Sequence, residues 1–166
     1  KMCGIFGYRS NNFQPEDFFT LMKHRGPDSQ GYQKSDPWVF GHLRLSIIDL
    51  SNTANQPFKK DNSLIVFNGE IFNYLEIKKK FLPDEQFITS SDTEILLTLL
   101  IKYGIESLNL LNGMFAFAFK DSKGNIYLVR DRFGIKPLYY TKINEEFAFS
   151  SEINPLLNLQ IEKKID

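Results

Sequence analysis

Cys3 and two histidines, His24 and His42, are the first candidates for chemistry in this chain of 166 residues. A thiolate attacks carbonyl carbon well, but a base must generate it near neutral pH. Histidine is the usual base. A cysteine at a chain start has a second option, because its own α-amine, with a pKa of about 7.7–8.0, can accept the proton. Against this stands the commoner fate of a lone cysteine in an apolar stretch, which is to pack as a small buried hydrophobe. Other familiar machinery is missing. One cysteine and two histidines give no zinc-finger spacing and no His-Glu-x-x-His, so no metal site is expected. Phosphate-cradling glycine loops and a Gly-x-Ser-x-Gly elbow are also absent from the sequence.

The elements that must position Cys3 follow from patterning. Residues 3–8 form an apolar first strand, and Pro15 opens a short amphipathic helix over 15–24. His24 to Ser29 reads as a loop, and 38–49 as extended. A strand over 63–68 ends in a turn signal, Asn68-Gly69-Glu70. Two Asn/Ser-x-x-Glu capping boxes, at Asn73 and Ser91, open helices over 74–81 and 92–103, the second stopped by Gly104. The last third reads as hairpins, 114–120 with 125–130 and 138–141 with 146–150, the latter turning around Asn144, followed by a helix over 152–158. This order lacks regular strand–helix alternation and points to antiparallel sheets with helices on their outer faces.

Composition narrows the partners. Twenty basic residues balance twenty acidic ones, which gives no bulk attraction to nucleic acid or membrane. No apolar run approaches the ~20 residues of a membrane span. A single cysteine suits a reducing, cytoplasmic setting. The length suits one domain over 1–166.

Nine segments then carry a resemblance: Met2–Gly7, His24-Arg25-Gly26-Pro27-Asp28, Arg44–Asp49, Gln56-Pro57, Asn68–Asn73, Ser91–Glu94, Leu111–Phe117, Asp131–Tyr140 and Phe149–Glu152. In this order they closely resemble the class II glutamine amidotransferase domain of glutamine-hydrolysing asparagine synthetases, members of the N-terminal-nucleophile hydrolases. The resemblance implies an α+β fold, a four-layer αββα sandwich of two antiparallel sheets between helices. It implies that Cys3 is the nucleophile and that the Asn68 side chain and Gly69 N–H form an oxyanion hole. Two donors aimed at a developing O⁻ are what acyl transfer needs. Arg44 would grip the α-carboxylate of glutamine, Asp92 with help from Glu70 would hold its α-ammonium, and Ile47 joins the substrate-binding set. The bland readings are a turn for Asn68-Gly69, a solvated edge-strand arginine for Arg44, and a helix-dipole carboxylate for Asp92. His24 is declined as a base, and His42 has no special claim.

The implied activity is hydrolysis of glutamine to glutamate and ammonia through a cysteinyl thioester. The ammonia would pass to a C-terminal or partner synthetase domain, which is absent from this chain. That domain would also carry the ATP and Mg; no cofactor is expected here. A homodimer is compatible with the resemblance. The aspartate acceptor of asparagine biosynthesis is not separable from a sugar or other acid by the glutamine-reading residues. One departure bears on activity: Lys1 and Met2 precede Cys3, so its nitrogen is an amide. The chain as written is therefore expected to be nearly inactive until both are removed. The competing class is a non-catalytic glutamine-binding domain that keeps the fold.

Overall fold

The computed structural model describes residues 2–45, 51–143 and 145–159. Nine strands and four α-helices occur among them: β1 (Gly4–Arg9), α1 (Pro15–Met22), β2 (Ser29–Ser35), β3 (Trp38–Arg44), β4 (Phe58–Lys60), β5 (Ser63–Ile71), α2 (Tyr74–Phe81), α3 (Asp92–Tyr103), β6 (Gly113–Lys120), β7 (Ile126–Arg130), β8 (Tyr139–Ile143), β9 (Glu146–Ser150) and α4 (Ile153–Asn158).

They make two antiparallel sheets, ordered β2-β3-β1-β9-β8 and β4-β5-β6-β7. Alternating side chains give each sheet two apolar faces and so demand three packed interfaces. Phe6, Tyr8 and Leu43 pack against Phe18, Phe19 and Met22 of α1 and Leu156 of α4. Ile5, Phe40 and Phe149 of the first sheet meet Leu64, Val66 and Ala118 of the second. Phe67, Phe117 and Phe119 turn the other way, onto the buried leucines of α3 and Ile77 of α2. The result is the four-layer αββα sandwich.

Helix α3 forms where the leucine-rich run meets a cap. Ser91 Oγ accepts from Glu94 N at 3.3 Å, while Gly104 ends the helix at φ 68°. The box is half-made, because the Glu94 carboxylate turns back to Thr89 N at 2.7 Å instead of Ser91. Asn73 caps nothing with its side chain. Its Oδ1 accepts from Asn112 N at 2.9 Å and its Nδ2 donates to Leu110 O at 2.9 Å, tying α2 to the start of β6.

One other sequence expectation is corrected, and two strands were not anticipated. β5 does not turn at Asn68-Gly69-Glu70 but runs on to Ile71. A Cβ on Gly69 would lie 2.3 Å from Met114 O and 2.7 Å from Phe115 Cα, so the glycine lets β5 and β6 close against each other. Its missing side chain faces the neighbouring strand rather than a substrate. β2 was not anticipated: Ser29–Ser35 is polar, and as an edge strand it alternates half-buried with exposed residues. The three-residue β4 was likewise missed, being short and half lysine-flanked. The turn residue Asn144 lies outside the described residues.

Candidate active site

The register brings the chemistry to one end of the layer between the sheets. Cys3 is two residues before Ile5, and Arg44 four after Phe40; both reference residues pack between the sheets. Alternation therefore directs Cys3 and Arg44 to the same layer. The pairing Gly4↔Leu43, continued by one step, sets Cys3 beside Arg44. On the facing sheet Asn68 shares a face with Leu64 and Val66. Cys3, His42, Arg44, Gly69, Glu70 and Asp92 line one cavity of about 60 Å³, enough for a small polar group or a few waters. A larger hollow of about 800 Å³ lies between α1 and α4 and carries none of these residues. Ile47 lies outside the described residues.

The thiol is half-buried and held by the backbone. Cys3 Sγ is 3.5 Å from Leu45 O and accepts from Leu45 N at 3.3 Å. Burial pushes its pKa up, opposed by the Leu45 amide and then by Arg44, Lys136 and Arg25, and the outcome is a thiol above its ordinary value. A thiol in that state needs a proton acceptor before it attacks.

His42 is not that acceptor. It is fully buried, and burial holds its pKa down at about 3. Its Nε2 stands 3.2 Å from Phe67 O, which fixes the proton of the neutral ring on Nε2; this bond favours the charged form, and burial outweighs it. His24 is largely exposed and meets Glu152 at 2.8 Å, away from the cavity.

The donor side of the site is built on β5. Phe67 N donates to Gln56 Oε1 at 2.6 Å, and Ile71 N to Asp92 Oδ2 at 2.9 Å. Both amides point off the edge of β5 that β4, paired only to residues 63–65, leaves open. N–H directions alternate along a strand, so the Gly69 N–H points off the same edge, between the two occupied ones. Asn68 is 1% exposed, and its Nδ2 is buried with no hydrogen-bond partner among the described residues. A buried amide donor without a partner costs about 1–3 kcal/mol, so such groups are rare outside functional sites.

Asp92 stands at the first turn of α3 on the far wall. Burial raises its pKa to about 6, against hydrogen bonds from the Ile71 and Thr93 amides, and Glu70 raises it further. Gln56 braces this wall: its Nε2 donates to Thr93 Oγ1 at 3.3 Å while its Oε1 holds Phe67 N. Arg44 is buried, and one of its terminal nitrogens donates to Ser51 O at 2.8 Å and Asn55 Oδ1 at 2.6 Å.

Two sequence segments act as scaffolding around Cys3. In the His24–Asp28 loop, Arg25 Nε donates to the Cys3 carbonyl at 2.9 Å and a terminal nitrogen to Glu152 at 3.0 Å. A Cβ on Gly26 would lie 2.3 Å from the Leu43 carbonyl carbon, so only glycine lets this loop lie on β3. In the Asp131–Tyr140 segment, Asp131 accepts from the amides of Phe115, Phe133, Ile135 and Lys136 at 3.0–3.2 Å. These four donors overcome the upward push of burial and hold its carboxyl below the ordinary value. Lys136, buried beside Met2, was not foreseen as part of the site. Arg25 was seen only as part of a motif. Neither contact has a local sequence signal, since each joins residues far apart in the chain. Among the described residues no three His, Cys, Asp or Glu side chains stand together as metal ligands would. No helix there is long and apolar enough to cross a membrane.

A half-buried thiol at one end of two face-to-face antiparallel sheets, with helices outside, has the architecture of an N-terminal-nucleophile hydrolase. The model of the glutamine amidotransferase domain matches residues 2–166, and the chain belongs to that family. It is 41% identical over 178 residues to asparagine synthetase [glutamine-hydrolyzing] 1 of Bacillus subtilis, covering 99% of this chain and 28% of that protein. It is 40% identical to putative asparagine synthetase [glutamine-hydrolyzing] 2 of Methanocaldococcus jannaschii, covering 98% of this chain and 36% of the relative. The chain thus spans about a third of the length of these relatives. The fold matches glutamine phosphoribosylpyrophosphate amidotransferase of B. subtilis at a TM-score of 0.77, with 22% identity over 93% of this chain and 43% of that one.

Proposed function

We propose that this domain hydrolyses glutamine to glutamate and ammonia through a thioester on Cys3, and supplies the ammonia to an asparagine-synthetase-type acceptor domain. The observation that carries the reading is that the Cys3 thiol and Gly69 line one cavity, while Asn68, next to Gly69 in β5, buries an amide donor that has no partner among the described residues. Its kinship with glutamine-hydrolysing asparagine synthetases supports the substrate and the acceptor.

The base is the α-amine of Cys3, once the residues before it are removed. The thiol gives its proton to that amine, and the sulfur attacks the glutamine Cδ. The carbonyl electron pair moves to oxygen, where the Asn68 Nδ2 and Gly69 N–H receive the negative charge. Collapse of this intermediate breaks the C–N bond, and the ammonium of Cys3 returns its proton to the departing nitrogen as ammonia. Water, deprotonated by the same amine, then attacks the thioester. Collapse releases glutamate, and the thiolate takes the proton back.

Arg44 and Asp92, from opposite walls, suit the α-carboxylate and α-ammonium of free glutamine, with Ile47 and Glu70 completing the binding set. Such a pair would discriminate against glutamine within a peptide. Chemistry of this kind needs no cofactor from these residues; ATP and Mg would belong to the acceptor domain. The unpaired cysteine suits a cytoplasmic, reducing setting.

The test is glutamate release by the chain beginning at Cys3, beside its Cys3→Ala variant. Release that depends on the thiol supports the reading. Glutamine binding without turnover would instead make the domain a sensor.

A further inference from the structure

Lys136 is 7% exposed, yet among the described residues its ammonium has no carboxylate partner. Among these residues the ammonium bonds to the thioether of Met2, Nζ to Sδ 3.4 Å. A buried cation is costly unless paired, so its placement calls for a reason. The loop that carries it is built to hold it there. Asp131 accepts from Lys136 N at 3.0 Å, and Arg130 Nε donates to Lys136 O at 2.8 Å. Met2 is the residue attached to the Cys3 nitrogen. The ammonium therefore lies against the side chain of the residue whose loss bares the Cys3 α-amine, and its field reaches the Cys3 thiol.

We propose that Lys136 is a positioning residue acting through Cys3: its ammonium keeps the freed α-amine in the neutral, proton-accepting form. This rests on the thioester reading above. A neighbouring positive charge disfavours a second one, so the amine gains its proton less readily, and the same charge favours the thiolate. The field of Lys136 also acts downward on the Cys3 thiol.

No other group near Cys3 fills this role in the same way. Arg25 is paired with Glu152, which also takes His24. Arg44 is engaged by Ser51 and Asn55. Asp131 spends its charge on four backbone amides. Asp92 and Glu70 line the cavity and would favour the ammonium form, so they oppose Lys136.

Because the chain holds one cysteine, cysteine labelled with ¹³C gives one spin system whose shifts report the amine and the thiol. The experiment titrates the labelled chain beginning at Cys3 and its Lys136→Met and Lys136→Arg variants, and measures glutaminase pH profiles on the same samples. The amine of the parent chain is expected to titrate below the ordinary range of about 7.7–8.0. In Lys136→Met the midpoint rises by about one pH unit, and kcat/KM falls about tenfold on the acidic limb while the alkaline plateau is kept. Lys136→Arg keeps the parent profile. A parent amine at or above the ordinary range overturns the proposal, even if Lys136→Met fails to fold. So does an unchanged midpoint in Lys136→Met. A parent chain with a lowered amine midpoint but no thiol-dependent turnover would sink the thioester reading and leave this assignment standing.

Discussion

Asp92 and Asp131 are both buried aspartates, and they are treated in opposite ways. Asp131 accepts from four backbone amides and lies below the ordinary carboxylate range. Asp92 accepts from the Ile71 amide at 2.9 Å and from that of Thr93, and burial outweighs them and raises it to about 6. The first carboxylate finishes a loop and has nothing left to offer. The second keeps unsatisfied charge facing a cavity. The same contrast separates the two amide-bearing residues Asn73 and Asn68. Asn73 is used on both sides of its side chain, whereas Asn68 Nδ2 has no partner among the described residues. Asp131 and Asn73, which tie loops together, are satisfied, and Asn68 is not. That is the expected difference between a group that stabilises the fold and one held ready for a ligand.

Substitutions should split along this line. The largest effect on activity, Cys3 apart, is expected at Asn68. Asn68→Ala should lower kcat by about 10²–10³ while leaving the unfolding midpoint nearly unchanged, because among the described residues its Nδ2 bonds to nothing. Steady-state kinetics beside thermal denaturation measure both, and a loss of stability matching the loss of rate would break the contrast.

Asp131→Ala should do the reverse in kind. It strands four backbone donors and should cost about 2–4 kcal/mol in denaturant unfolding. The pH dependence has a definite sign. Because its folded pKa is depressed, the stability Asp131 contributes is present above its unfolded pKa and is lost as pH falls through the folded value.

Asp92→Asn should raise the KM for glutamine about tenfold or more with no loss of stability. Here the sign is opposite. The folded pKa of about 6 exceeds the ordinary 3.8, so the native state holds its proton longer, and stability falls as pH rises between those values. Comparing unfolding free energies of the parent and Asp92→Asn across pH 4–7 tests this. The smallest predicted effect is on the parent itself: KM should climb as pH drops below about 6, as the carboxylate that would hold the α-ammonium is neutralised.

The sequence carried the layers and most of the wall residues, and the reasons are local. α3 announces itself through Ser91, its leucines and Gly104, all within one stretch of chain. The β6–β7 hairpin is bounded by a four-residue turn whose Asp121 accepts from Lys123 N and Asn125 N. What stayed hidden depends on contacts between distant segments. Asn68-Gly69 looks like a turn until β6 is seen lying against Gly69. Asn73 has a cap's spacing, but its partners come from the approach to β6. The bracing of Cys3 by Arg25 spans 22 residues, and the approach of Lys136 to Met2 spans 134. No window of the sequence holds both partners of either pair. Assigning roles to Cys3, Arg44, Asn68, Gly69 and Asp92 needed the family resemblance, because each has an ordinary structural reading alone.

The most direct test of the central claim is to trap the acyl-enzyme. The chain beginning at Cys3 is mixed with glutamine, quenched in acid and examined by mass spectrometry. The account predicts a γ-glutamyl adduct on the peptide starting at Cys3, absent from Cys3→Ala and from the form that keeps Met2. Full glutaminase turnover by the form that keeps Met2, or by Cys3→Ala, would contradict it.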